Sequence, residues 1–116
     1  VLHHDGVLLA ALNTGHFGAK LFRSTDDGET WTEVAAPAYP PQPSPDLKPA
    51  WKLIQIWTLE AGPDGTLWAG TLPGGLFRSR DRGLTWHLVE SLWNAPEREK
   101  WMGGGYDTAG IHSLCF

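Results

Sequence analysis

Apolar residues along this chain come in short runs of strand length, bounded by glycine, proline and aspartate. Residues 1–6 end in Asp5-Gly6, a hairpin signal, and residues 7–12 follow as an apolar run. Residues 21–24 and 30–34 continue the series. Residues 53–59, LIQIWTL, are almost continuously apolar, the pattern of an innermost strand buried on both faces. Residues 62–65 then read as a turn, and 67–71, 76–79 and 86–90 as successive strands. Residues 111–116, IHSLCF, repeat the pattern of LIQIWT and predict the first strand of a further unit.

The strands obey a period. Ser24-Thr25-Asp26-Asp27-Gly28-Glu29-Thr30-Trp31 and Ser79-Arg80-Asp81-Arg82-Gly83-Leu84-Thr85-Trp86 share the pattern S-x-D-x-G-x-T-W, 55 residues apart. Leu21-Phe22-Arg23 and Leu76-Phe77-Arg78 precede the two copies, and Val34 and Val89 follow at equal offsets. Repetition at several tens of residues, in strand-like runs, argues for a propeller or solenoid. Within each copy a short aspartate accepts from nearby backbone N–H groups, and the following glycine can take positive φ freely. Asp26 and Asp81 are therefore expected to fasten a hairpin, and Trp31 and Trp86 to lie in the core between sheets.

This octapeptide resembles the Asp-box, or BNR, repeat of the sialidase-like and related β-propellers, including the BNR-repeat glycosyl hydrolases. The resemblance implies that each box lies on the hairpin between the third and fourth strands of a blade and is structural: Ser24, Asp26, Gly28, Thr30 and Trp31 in one, Ser79, Asp81, Gly83, Thr85 and Trp86 in the other. The expected fold is all-β, a partial β-propeller of about two four-stranded antiparallel blades plus the first strand of a third. Residues 1–34 make a partial blade of three strands with its box at 24–31, and 35–52 a proline-rich blade-to-blade loop. Residues 53–90 make a complete blade with its box at 79–86, 91–110 a long loop, and 111–116 the inner strand of the next blade. The chain begins without Met and reads as a fragment; alone, it is expected to need remaining blades or self-association to close the ring.

Composition narrows the chemistry. Nine Lys and Arg against thirteen Asp and Glu leave the chain mildly acidic, with no basic run to bind nucleic acid or a membrane surface. Cys115 stands alone, so neither an internal disulfide nor a cysteine-rich zinc site can form. His3 and His4 are adjacent, face opposite sides of a strand and have no third ligand placed by sequence, so no metal or other cofactor is expected. Six prolines between residues 35 and 52 exclude a helix interior or central strand there.

Strands running up and down place the boxes and the Asp-Gly turns at one end of the blades. The other end receives residues 13–20, which carry a four-residue insertion relative to 72–75, together with both long loops. In propellers that this chain resembles, the ligand face is the one opposite the boxes. Trp93, Trp101, Tyr106 and His112 are its candidate ligand-binding residues, with Tyr39 and Trp51 on the same loops. Aromatic rings beside carboxylates suit a sugar cleft, although packing of the loops onto the blades is the commoner role for any one such ring. Asp5, Asp26, Asp64 and Asp81 are committed to turns, which leaves Asp46, Glu97, Glu99 and Asp107. Asp107, beside Tyr106 and after Gly103-Gly104-Gly105, is the candidate catalytic acid. Phe22-Arg23-Ser24 and Phe77-Arg78-Ser79 lead straight into the boxes and are not the Phe/Tyr-Arg-Ile-Pro segment of sialidases. Three functions compete: a carbohydrate-active propeller, a non-catalytic propeller binding a protein partner, and a purely architectural arc.

Overall fold

The computed structural model describes residues 1–14, 18–44, 46, 51–100, 109–111 and 113–116, with the side chains of 98 and 99 excepted. Eight strands form two four-stranded antiparallel sheets, each in simple sequential order. The first holds β1 (Leu2–His4), β2 (Val7–Asn13), β3 (Ala19–Ser24) and β4 (Thr32–Val34). The second holds β5 (Gln55–Ala61), β6 (Leu67–Leu72), β7 (Leu76–Ser79) and β8 (His87–Leu88). This is the all-β architecture expected of two propeller blades.

Three details depart from the sequence-based expectations. The first sheet has four strands rather than three, because residues 2–4 pair with 7–9 across the tight Asp5-Gly6 turn, both turn residues having positive φ. The strand expected over 86–90 shortens to β8, since Glu90 opens a single helical turn, α1 (Glu90–Trp93). The described residues of 111–116 form no strand; one backbone bond, from the Ile111 N–H to the Thr71 carbonyl at 3.0 Å, ties them to β6. A single bond of this kind is an anchor rather than a ladder.

The two sheets pack face to face over Val7, Leu9 and Leu21 from the first and Ile56, Leu67, Ala69 and Phe77 from the second. Burial of an aliphatic or aromatic side chain on this scale contributes about 1.5–3 kcal/mol. Within β5 only Ile56 is fully buried, because this strand lies at a sheet edge with a ladder on one side. Close approach is set by glycine. A Cβ on Gly83, at φ 89°, would sit 2.8 Å from the Leu9 methyls, and one on Gly70 would sit 2.6 Å from Ile111.

Strand register sorts each sheet into two faces. Leu8 opposes Ser24 and Ala10 opposes Phe22 in the first sheet, as Leu67 opposes Ser79 and Ala69 opposes Phe77 in the second. Leu8, Ala10 and Phe22 are therefore the structural equivalents of Leu67, Ala69 and Phe77. In the second sheet that face is turned toward the first and is buried, whereas in the first sheet it is turned outward and is only half-buried. Trp31 belongs to this outward face and is 41% exposed, so it is not the core residue its pattern predicts. Its counterpart Trp86 does pack against the core.

Candidate functional site

The two ends of the sheets are built differently. At the box end, the Ser24 hydroxyl donates to the Asp26 carboxylate at 2.8 Å and accepts the Gly28 N–H at 2.9 Å. The other donors to Asp26 are the Thr30 N–H at 2.9 Å and the Thr30 hydroxyl. The second box repeats this wiring: Ser79 to Asp81 at 2.7 Å, the Gly83 N–H to Ser79 at 2.9 Å, and the Thr85 N–H to Asp81 at 2.8 Å with the Thr85 hydroxyl beside it. The Thr30 hydroxyl and N–H, then the Ser24 hydroxyl, hold the Asp26 carboxyl at about 2. Burial pushes Asp81 upward, but donation by Thr85 and Ser79 outweighs it and sets that carboxyl also at about 2. Each carboxylate is consumed by its own hairpin. Neither can serve as a general acid near neutral pH.

The residue between the box aspartate and glycine has left-handed backbone in both copies, φ 60° at Asp27 and 61° at Arg82. Asparagine and aspartate enter this region readily and arginine does not, so Arg82 is held there by the hydrogen bonds of its own box, which recur around Asp27. Its guanidinium donates to the Asp5 carbonyl and lies 3.4 Å from the Asp5 carboxylate. Its carbonyl accepts from Arg23 Nε at 3.0 Å. Box and Asp-Gly turn thus meet across the sheets at one end, and Asp64 in the second turn is lowered by the Thr66 N–H, 3.0 Å away.

At the opposite end the turn of residues 72–75 is wholly buried. Tyr39, from the proline-rich loop, donates its hydroxyl to the Pro73 carbonyl at 2.8 Å and shares a 2.7 Å bond with the Thr71 hydroxyl. Thr71 in turn accepts the Gly75 N–H at 3.2 Å. The Tyr39 ring stacks on Trp93 at 4.7 Å and tilts against Phe77 at 5.6 Å. Trp51 meets Trp93 edge-on at 5.2 Å, and its backbone N–H donates to the Gln42 side-chain oxygen at 2.9 Å. Residues 35–44 are accordingly a loop docked on the second sheet, not a free linker. Tyr39, Trp93 and Trp51 form a graded aromatic stack, with Trp93 3% exposed and Trp51 half-buried.

Of the residues singled out from sequence, Trp101, Tyr106, Asp107 and His112 lie outside the described residues. Trp93 is described, and its ring is covered by Tyr39 and Trp51. Asp46 and Glu97 are exposed. His3 and His4 stand on opposite faces of β1, opposite Leu8 and Val7. Among the described residues, no three His, Cys, Asp or Glu side chains are grouped as metal ligands. Sequence reasoning passed over Thr71 and Arg82. The only signal for Thr71 was a threonine before Leu-Pro-Gly-Gly, and nothing marked Arg82 beyond its place in the box.

The BNR/Asp-box repeat family model matches residues 22–33, from the second half of β3 through the first box into β4, and 77–88, from within β7 through the second box to the end of β8. No curated protein matches the chain.

Proposed function

We propose that this chain, which carries two BNR/Asp-box repeats, is part of a carbohydrate-binding β-propeller wall whose ligand face lies opposite the boxes. The observation that carries the reading is the contrast between the ends. The box carboxylates are held at about 2 by their own hairpins. The far end instead displays a half-buried Trp51 on a rigid Tyr39–Trp93 base, beside the Gln42 side chain. A flat ring on a fixed base suits the apolar face of a pyranose. Trp101 and Tyr106 extend that ring set in this proposal, and Asp107 is its candidate acid.

The test is titration of the full chain against neutral and sialylated oligosaccharides, with Trp51→Ala and Asp107→Asn as variants. Trp51→Ala is expected to weaken binding at least about tenfold, the scale of one stacking contact with its buried area, without changing the melting temperature greatly. Unchanged affinity in Trp51→Ala would remove this face from carbohydrate recognition. A second reading, a non-catalytic scaffold for a protein partner, is favoured by the complete burial of the 72–75 turn beneath Tyr39, which leaves ring surface but little cleft at that point. Absence of glycan binding in the parent and both variants would leave the protein-partner reading, whereas glycan binding that survives Asp107→Asn with no turnover in either form would make the face a non-catalytic carbohydrate site.

A further inference from the structure

The pocket that receives Tyr39 is built in the second repeat and not, among the described residues, in the first. Strand register makes Leu12 and Lys20 the equivalents of Thr71 and Gly75, because the neighbouring pairs Ala11–Leu21 and Gly70–Leu76 correspond. Both differences favour a phenol in the second repeat. A Cβ on Gly75 would sit 2.9 Å from a Tyr39 ring carbon, so a side chain there would crowd the ring. Leu12 offers no hydroxyl to a phenol oxygen, and Lys20 stands 3.5 Å from Glu33. Phe77 and Trp93 complete the pocket, with ring centroids 5.6 and 4.7 Å from that of Tyr39.

The three stacked rings have two origins. Trp93 belongs to the sheet: α1 carries it, and the Val89 N–H beside α1 donates to the Leu76 carbonyl of β7 at 2.8 Å. Tyr39 and Trp51 arrive on the proline-rich loop. Gln42 ties their segments together, its oxygen accepting the Trp51 backbone N–H and its amide donating to the Ser44 carbonyl. The loop and Trp51 therefore seat together, and the Tyr39 hydroxyl fixes the seat through Pro73 and Thr71. We propose, resting on the carbohydrate reading of this end, that Tyr39 is a latch that switches the ligand surface, with Tyr39 and Thr71 as positioning residues. Seated, it holds Trp51 against Trp93 for a ligand to stack on; withdrawn, it takes the base from under Trp51. A ligand that needs the seated form binds with an apparent affinity scaled by the seated fraction. Loss of the phenol hydroxyl alone orphans no buried group, because Thr71 also has the Pro73 and Gly75 carbonyls as acceptors at 2.8 and 3.1 Å.

The test uses the full chain labelled with 5-fluorotryptophan, the Trp51 resonance being assigned through Trp51→Phe. Tyr39→Ala is expected to displace that resonance and to weaken oligosaccharide binding at least about tenfold. Adding Trp51→Ala to it is expected to cost no further affinity, since the latch acts through that ring. Tyr39→Phe, which keeps the ring and loses the hydroxyl, is expected to raise the unseated fraction read from the resonance by about threefold to tenfold, the scale of one hydrogen bond. p-Cresol, the tyrosine side chain without its backbone, is expected to fill the emptied pocket of Tyr39→Ala and raise its melting temperature while leaving Trp51 displaced. An unmoved Trp51 resonance in both variants would overturn the latch. So would return of the resonance to its parent position with p-cresol, which would reduce Tyr39 to a filler of the pocket. Where Tyr39→Ala does not fold, Tyr39→Phe decides by the same resonance. Absence of oligosaccharide binding in the parent would overturn the carbohydrate reading, and the resonance would still decide the latch.

Discussion

The two sheets carry the same octapeptide, the same strand order and the same hydrogen-bonded box, yet one face changes character between them. Phe77 is 0% exposed and Phe22, its equivalent, is only half-buried. Gly83 is buried beneath Leu9, whereas Gly28 is half-buried and meets only Leu8 and Trp31 of its own sheet. The Trp31 indole donates to the Gly28 carbonyl at 3.0 Å, and the Trp86 indole N–H is buried with no hydrogen-bond partner among the described residues. The comparison separates what a repeat does locally from what its neighbour does to it. The box folds its own hairpin in either setting, and burial comes from the adjacent sheet.

The strongest way to break the comparison is to truncate the paired phenylalanines. Phe77→Ala is expected to destabilise by about 3–5 kcal/mol in denaturant unfolding, as a fully buried aromatic does, and Phe22→Ala by less than half of that. Equal losses would mean that the outward face is covered in solution. Trp93→Ala should also fall in the range of about 3–5 kcal/mol because its ring underlies both Tyr39 and Trp51, a loss of folding that Trp51→Ala is not expected to share.

Substitution of the box glycines sharpens the contrast at a smaller scale. Gly83→Ala adds a clash with Leu9 to the left-handed backbone penalty and is expected to lower stability by about 2–4 kcal/mol, against about 1–2 kcal/mol for Gly28→Ala. Acid should treat the two boxes alike. Both aspartates have folded-state values near 2, below the ordinary 3.8, so their contribution is complete above about pH 4 and is lost as pH falls toward 2. A melting temperature that declines across that interval, with a shallower decline in Asp26→Asn and Asp81→Asn, checks the sign. The smallest effect belongs to Arg82→Ala, at less than about 1 kcal/mol for a solvent-exposed ion pair.

Much of the architecture was legible because it is local. Asp5-Gly6 predicted a tight turn, and the boxes predicted hairpins at 24–31 and 79–86, since a short carboxylate with a glycine two residues on closes a turn from its own atoms. Legibility failed where a residue's state depends on something distant. The apolar pattern at 111–116 could not reveal that its described residues would lie on β6 through one backbone bond instead of pairing as a strand. Trp93 read as a loop aromatic, and its burial required Tyr39 to arrive from a loop more than fifty residues earlier.

By itself, then, the sequence determined the repeat and the box chemistry, because hydrogen bonds within eight residues and strand alternation decide those. Only the tertiary structure decided which copy of each repeated side chain is buried. Leu9 and Leu21 cover Phe77, Leu67 and Gly83 but stand on the wrong side of their own sheet to cover Phe22 and Leu8. Burial is a property of the neighbour a face meets, and the same octapeptide has the neighbour in one sheet and lacks it in the other.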